Sequence, residues 1–302
     1  MSPPTSHITL IIVTYNSAAV IDKVLESVKT QAYPASAIRT VVVDNASQDG
    51  TVRILQESYP WVTLLPEKTN HGFAKGNNLA MRRYPADYFA LVNADVVLHP
   101  KWLAEIIQTM EADSSIGVAG SKIFFGNRVL LQHTGGMIRD NALTYHLGAY
   151  EFDIGQYHLL RDIDYAMGAA FVTRGDVARA LDYLPEAYFM YFEEAEYCLR
   201  VRRGGERVVY VPTAIAYHDE KHSTSGSISW RFLLKYHRAR YLFALRMMTT
   251  PADRERFCQA EREWLRGQAR DGRYRLLLLR SLLVNWPQLR AAPWLFRAWW
   301  PL

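Results

Sequence analysis

Short apolar runs alternate with helical stretches through the first half of the chain. Residues 8–13 (ITLIIV) form a continuous, mostly β-branched run, the pattern of a strand buried on both faces. Behind it, Asn16 and Ser17 offer N-cap side chains, and Val20, Ile21, Val24, Leu25 and Val28 recur at helical spacing. Residues 40–43 predict a second strand, Asp49-Gly50 a loop into a helix carrying Val52 and Leu55, and 62–65 a third strand. A helix over 76–83, a strand over 88–92, a helix opened by Pro100 and running to Met110, and a strand at 117–120 follow. Such alternation predicts an α/β fold with a mostly parallel, doubly wound sheet, whose ligands bind at the C-terminal ends of the strands.

From about 129 to 172 the period is lost, with β-like pieces and polar aromatics of the kind that shape a substrate pocket. Helical spacing returns at 194–203, and from Ser227 the chain reads as helix to its end. The expected division is therefore an α/β domain over 1–225, with a nucleotide-binding half to about 120 and an acceptor half over 121–225. A helical extension over 226–302 completes it.

Composition narrows the function classes. At 302 residues and 49% hydrophobic, the chain can bury a sizeable core. Five of its 35 Lys and Arg lie beyond residue 272 with no acid among them, so the remainder balances 30 against 30 Asp and Glu. A basic end on a neutral body points to one anionic surface near the C-terminus and away from nucleic acid. Trp264, Trp286, Trp294, Trp299 and Trp300 are interleaved with arginines of the C-terminal helices. Two readings of this stretch stay open: a helix lying in an anionic membrane interface, or one packed on its own domain or on a second copy in a homo-oligomer. Two cysteines make no disulfide framework, the run at 8–13 is too short for a signal peptide, and no stretch reaches the ~18 apolar residues of a spanning helix. The expected location is the cytoplasm, with peripheral contact at the inner face of the membrane.

Four groups of polar residues fall at expected strand ends: Thr14-Tyr15-Asn16, Asp44-Asn45 with Ser47, Asn93-Ala94-Asp95, and Glu193-Glu194 after the aromatic run at 188–192. Gly72, Lys75, Gly76 and Asn77 form a glycine-containing turn entering a helix, where backbone N–H groups can meet phosphate or ribose. His218 and His222 are four apart, without the Cys pair or His-Glu-x-x-His pattern of a zinc site. Glu196 is placed to favour the helix dipole or to pair with Arg200 at i+4.

The stretches ITLIIVTYNS, VVVDNASQDGT, NHGFAKGNN, LVNADV, YFMYFEEAEYCLR and VPTAIAYHDEKHST together resemble the family 2 glycosyltransferases of GT-A fold, in the expected order from about 8 to 224. The segment over 188–243 looks most like rhamnosyltransferases acting on polyprenyl-diphosphate-linked sugars. The resemblance implies an inverting transfer from a nucleotide diphosphate sugar, dTDP-rhamnose first and a UDP-sugar second, to a hydroxyl of a glycan or lipid-linked acceptor. It implies donor contacts from Thr14, Tyr15, Asn16, Asp44 (to the pyrimidine N–H), Asn45, Gly72, Lys75, Gly76, Asn77, Asn93, Ala94, Asp95 and His222. It further implies Mg²⁺ or Mn²⁺ held by Asp95 and His218, Glu194 as general base, and Glu193 orienting the acceptor. Asn93 stands where the family's signature has its first Asp, and Glu194 where the family has Asp. A sugar nucleotidyltransferase is the rival, though Thr14-Tyr15-Asn16-Ser17 lacks that class's Gly-rich basic loop. A nucleotide-sugar-binding module without activity is the other.

Overall fold

The apolar runs become the middle of one sheet. In chain order the elements are β1 (Ile8–Thr14), α1 (Ile21–Lys29), β2 (Ile38–Asp44), α2 (Thr51–Ser58), β3 (Thr63–Pro66), α3 (Gly72–Arg83), β4 (Tyr88–Asn93), β5 (Val96–Leu98), α4 (Trp102–Ala112) and β6 (Ile116–Phe125). There follow β7 (Leu131–His133), β8 (Gly136–Ile138), β9 (Thr144–His146), β10 (Arg161–Asp162), β11 (Ala170–Arg174), α5 (Gly175–Ala180), α6 (Glu193–Arg203) and β12 (Arg207–His218). The last helices are α7 (Trp230–Met247), α8 (Pro251–Gln268), α9 (Gly272–Leu283) and α10 (Trp294–Arg297). The structure, a computed structural model, describes residues 5–219, 230–268, 272–285 and 292–297.

Ten strands share the main sheet, in the order β10-β12-β6-β11-β4-β1-β2-β3, with β5 on β12 and β7 on β6. The β4-β1-β2-β3 half is parallel, as the strand–helix alternation predicts. The other half is mixed. β11 runs antiparallel to both β4 and β6, while β6 and β12 pair in parallel. A run as short as Ala170–Arg174 signals a strand but carries no mark of direction, which its long-range partners decide.

The chain forms two compact units. The first comprises Met1–Met137, His146–Phe189 and Glu193–His222; the second comprises Ile138–Tyr145, Met190–Phe192 and Ser223–Leu302. In the first, Leu10, Ile12, Val42, Ala90 and Val92 pack with Val24, Leu25, Trp102 and Ile106 of the covering helices. Trp102 is fully buried, and its indole N–H donates to Ser121 Oγ (2.7 Å), which donates in turn to the Ala170 carbonyl (2.7 Å). Buried indoles need such a partner, and this one ties α4 to β6 and β11.

The second unit is built around a buried ion pair. Arg240 makes two bonds of 2.7 Å to the Glu261 carboxylate, and neither side chain is exposed. Tyr241 Oη (2.9 Å) and Asn141 Nδ2 (3.2 Å) also donate to Glu261, and Arg240 donates to the Asn141 carbonyl (2.8 Å). Burial, with Arg240 beside it, pushes His237 down to about 2, so this ring stays neutral and accepts from Arg240 Nε. Trp264 packs edge-on to Tyr274 and under the Arg240 guanidinium, and Trp294 packs on Phe257. Both tryptophans thus pack within this unit while staying partly exposed. Trp286, Trp299 and Trp300 lie outside the described residues.

One expectation about the first helix is corrected. α1 starts at Ile21 with no side-chain cap bond. Asn16 has φ 52°, and its Oδ1 accepts the Gln48 N–H (2.8 Å), so it ties two loops together instead of capping a helix.

Candidate active site

Register sets the first part of the site. Thr14 pairs with Asp44, Val13 with Asn93, and Asp44 with Pro66, so the polar residues ending β1, β2 and β4 share one edge. Asp44 is only 1% exposed. Its Oδ1 accepts the Thr14 hydroxyl (3.0 Å) and its Oδ2 the Ser47 N–H (2.9 Å), an Asx-type turn that leaves lone pairs for one further donor. Asn45 clamps the start of α3: Nδ2 donates to the Gly72 carbonyl (3.1 Å), and Oδ1 accepts the His71 N–H (3.4 Å). Tyr15 and Asn16 form an exposed rim, with Asn16 N–H donating to Ser47 Oγ (2.8 Å).

The glycines of α3 allow close approach. Gly72 has φ +79°, and a Cβ there would run into the Phe189 carbonyl. A Cβ on Gly76 would stand 2.9 Å from Val13 Cγ1, so α3 lies directly on β1. Lys75 is exposed on the same turn. Asn77 is buried; its Nδ2 donates to the Phe73 carbonyl (3.0 Å), while its Oδ1 has no protein partner.

The second part joins two distant segments. Asn93-Ala94-Asp95 links β4 to β5, with Asn93 and Asp95 partly exposed and Ala94 buried. Because β5 pairs antiparallel with the end of β12, Val96 faces His218 across the ladder. This brings Asp95 Oδ1 to 3.2 Å from His218 Nε2. His218 is buried, and its Nδ1 lies 3.0 Å from Gln132 Oε1 on β7, which fixes the plane of the ring. Among the described residues no three His, Cys, Asp or Glu gather as a self-sufficient metal site. The 3.2 Å between Asp95 Oδ1 and His218 Nε2 is close to the separation of about 3 Å between neighbouring ligands in an octahedral shell with ~2.1 Å bonds, so the pair is compatible with a cation that takes its other ligands from elsewhere. His222 lies outside the described residues.

The third part is the pair of acids opening α6. Glu193 is buried and Glu194 partly so, and each has an Oε2 enclosed without a protein partner. Gly168 and Ala195 donate backbone N–H groups to the Glu194 carboxylate. Burial nonetheless dominates and pushes Glu194 up to about 7. Glu193 is driven well above the usual carboxylate range, first by burial and then by the charge of Glu194. A carboxylate poised near neutrality takes up a proton readily, the property a general base needs. Just before them, Tyr191 and Phe192 sit at φ 70° and 71°, a left-handed pair that costs about 1–3 kcal/mol per residue and is typical of functional sites. Glu196 lies in the first turn of α6, as the dipole reading expects; it is buried and accepts the Tyr188 hydroxyl (2.7 Å), and Arg200 donates to the Leu181 carbonyl (2.5 Å).

The three parts meet at one backbone junction. Asn93 N–H donates to the Ala169 carbonyl (2.9 Å), and the residue before, Gly168, holds Glu194. From the other side, Met167 N–H donates to His133 Nε2 (3.3 Å), and His133 Nδ1 lies 2.7 Å from His146 Nδ1. Burial holds His133 well below its ordinary range and His146 at about 4, so both rings are neutral. Gln132, His133 and Gly168 went unnoticed in the sequence. Their only signal is polar or glycine residues beside short apolar runs.

The profile of the family described as glycosyl transferase family 2 matches residues 9–179, more than half of the chain. Thr14, Asp44, Asp95 and Gly168 fall inside that span, and Glu193, Glu194 and His218 beyond it. The chain is 25% identical over 185 residues to low-salt glycan biosynthesis hexosyltransferase Agl10 of Haloferax volcanii, which covers 60% of this chain and only 58% of that protein. It is 23% identical over 261 residues to the N-acetylglucosaminyl-diphospho-decaprenol L-rhamnosyltransferase of Mycobacterium tuberculosis, covering 79% of this chain and 84% of that one. Among solved structures, mannosyltransferase PcManGT from Pyrobaculum calidifontis, in complex with GDP-Man and Mn²⁺, aligns with a TM-score of 0.59 at 19% identity, over 97% of this chain and 86% of that chain. At that identity the likeness shows a shared fold, GT-A. With its strand-end residues inside the matched span, the chain belongs to glycosyl transferase family 2.

Proposed function

We propose that the protein is an inverting, metal-assisted transferase that moves a sugar, L-rhamnose from dTDP-rhamnose as first choice, onto a hydroxyl of a polyprenyl-diphosphate-linked or polysaccharide acceptor at the inner face of the membrane. The carrying observation is the junction at Gly168-Ala169, where one strand end serves both the Asn93–Asp95 segment and the Glu194 carboxylate. The relative that acts on a decaprenol-linked sugar supports the donor and acceptor classes.

In this reading Asp95 and His218 would hold Mg²⁺ or Mn²⁺, which when bound would supply a Lewis acid for the charge on a departing diphosphate. Asn93, Gly76 and Asn77 border the donor, and the orphaned Asn77 Oδ1 takes a hydroxyl or N–H from it. Asp44 accepts the base N–H through its remaining lone pairs; at 1% exposure this requires the residues around it to yield. Glu194 removes the acceptor proton as the oxygen attacks C1 opposite the breaking C1–O bond, and Glu193 orients the acceptor.

The test is a thermal-shift and turnover panel of dTDP-, UDP- and GDP-sugars. A donor at 100 times its Kd should stabilise by about 2.7 kcal/mol. Stabilisation by a UDP-sugar alone moves the donor to the second choice, and stabilisation by none removes the reading. Asp95→Asn should lose most turnover with the fold intact, and EDTA should inhibit until Mg²⁺ or Mn²⁺ is restored. Full activity in excess chelator sinks the metal assignment.

A further inference from the structure

Helix α9 carries leucines on both of its sides. Leu277, Leu278 and Leu282 are buried, and Leu277 and Leu278 cluster with Leu265 of the same unit. Leu276 (67% exposed), Leu279 (39%) and Leu283 (44%) face outward, and Val284 (45%) continues them past the helix end. At about 100° per residue, the three outward leucines fall within a single arc of about 60°. Arg275 lies about 40° beyond one edge of that arc and Arg280 about 40° beyond the other, with Arg273 about 20° further on. No Asp or Glu occurs in α9.

We propose that this face seats α9 in the plane of an anionic lipid surface. The leucines enter the boundary between headgroups and acyl chains, and arginines on both flanks reach back to lipid phosphates. Cations on both flanks also argue against a second copy: a two-fold contact through this face would set arginine against arginine. Among the described residues no helix is long and apolar enough to cross a membrane, so the contact is in-plane. The proposal builds on the membrane-face placement above but not on the donor, the metal or the base.

The experiment is co-sedimentation of the full chain with vesicles of equal parts phosphatidylglycerol and phosphatidylcholine, and with pure phosphatidylcholine. Wild type should pellet with the anionic vesicles, stay in solution with the neutral ones, and release as salt rises. The double variant Leu276→Asp/Leu283→Asp should bind at least tenfold more weakly. Each of Arg275→Glu and Arg280→Glu should cost roughly fivefold. Nucleotide-sugar stabilisation, measured in parallel, should match wild type, which separates failure here from failure of the transferase reading. If the Asp pair disturbs folding, Leu276→Ser/Leu283→Ser gives the same comparison. Equal binding to both vesicles, binding untouched by these variants, or a dimer that the leucine variants split without any vesicle binding overturns the proposal; the last outcome gives the face to a second copy.

Discussion

Glu194→Gln keeps the shape of the side chain and its bond from Gly168 while removing the charge. In the wild type, burial holds a proton on Glu194 up to about pH 7, against 4.5 for the group in water. Because the folded state binds this proton more tightly than the unfolded state, stability is full below pH 4.5 and is lost as pH rises through 7. At 1.36 kcal/mol per unit, the loss is roughly 3 kcal/mol. Gln carries no such cost. Ligand-free thermal unfolding at pH 5 and pH 8 should therefore show wild type losing several degrees more than the variant across that interval. Turnover should move the opposite way. Wild-type rate should climb through about pH 7 as the base ionises, and the variant should be roughly 100-fold slower or worse. Donor affinity should hardly change, and Glu193→Gln should act mainly on acceptor binding. A variant with near wild-type turnover removes Glu194 as the base. One that is less stable than wild type at pH 8 shows a carboxylate placed for structure.

Two further substitutions test the packing. Glu261→Ala leaves Arg240 buried without its partner and should cost about 3–5 kcal/mol in denaturant unfolding, whereas Arg240→Met/Glu261→Leu should recover much of that; equal losses would show the pair is not the source. Gly76→Ala sets a methyl 2.9 Å from Val13 Cγ1 and should cost about 1–3 kcal/mol while weakening nucleotide-sugar binding. Unchanged melting and affinity would mean that α3 is not held to β1 by this contact.

The parallel half of the sheet was legible because its signal is local. A β-branched run such as Ile8–Thr14 followed by helical spacing states its own structure, and strand ends then locate Thr14, Asp44 and Asn93. Asp95 and His218 could be named from the resemblance, but their approach depends on β5 pairing with β12, which no local period encodes. Gln132 and Gly168 were invisible for the same reason, since each acts through a partner far along the chain. Asn16 misled because a polar residue before a helix suits a cap as well as a loop tie, and only the tertiary partner Gln48 decides. In α9 the composition revealed the arginines, but the outward face is set by which leucines its own unit buries.

The pairing of β12 with β5 and β6 also orders events in time. Asp95 and the parallel strands β1 to β4 leave the ribosome long before His218, which ends β12. The strands that present Asp44 and Asn93 come early in the chain, yet Asp95 has no His218 to meet until β12 has been made and has docked beside β6. Closing such a long loop is slow compared with local helix formation. During synthesis the approach of Asp95 to His218 therefore closes only after the strands that carry Asp44 and Asn93 have been made.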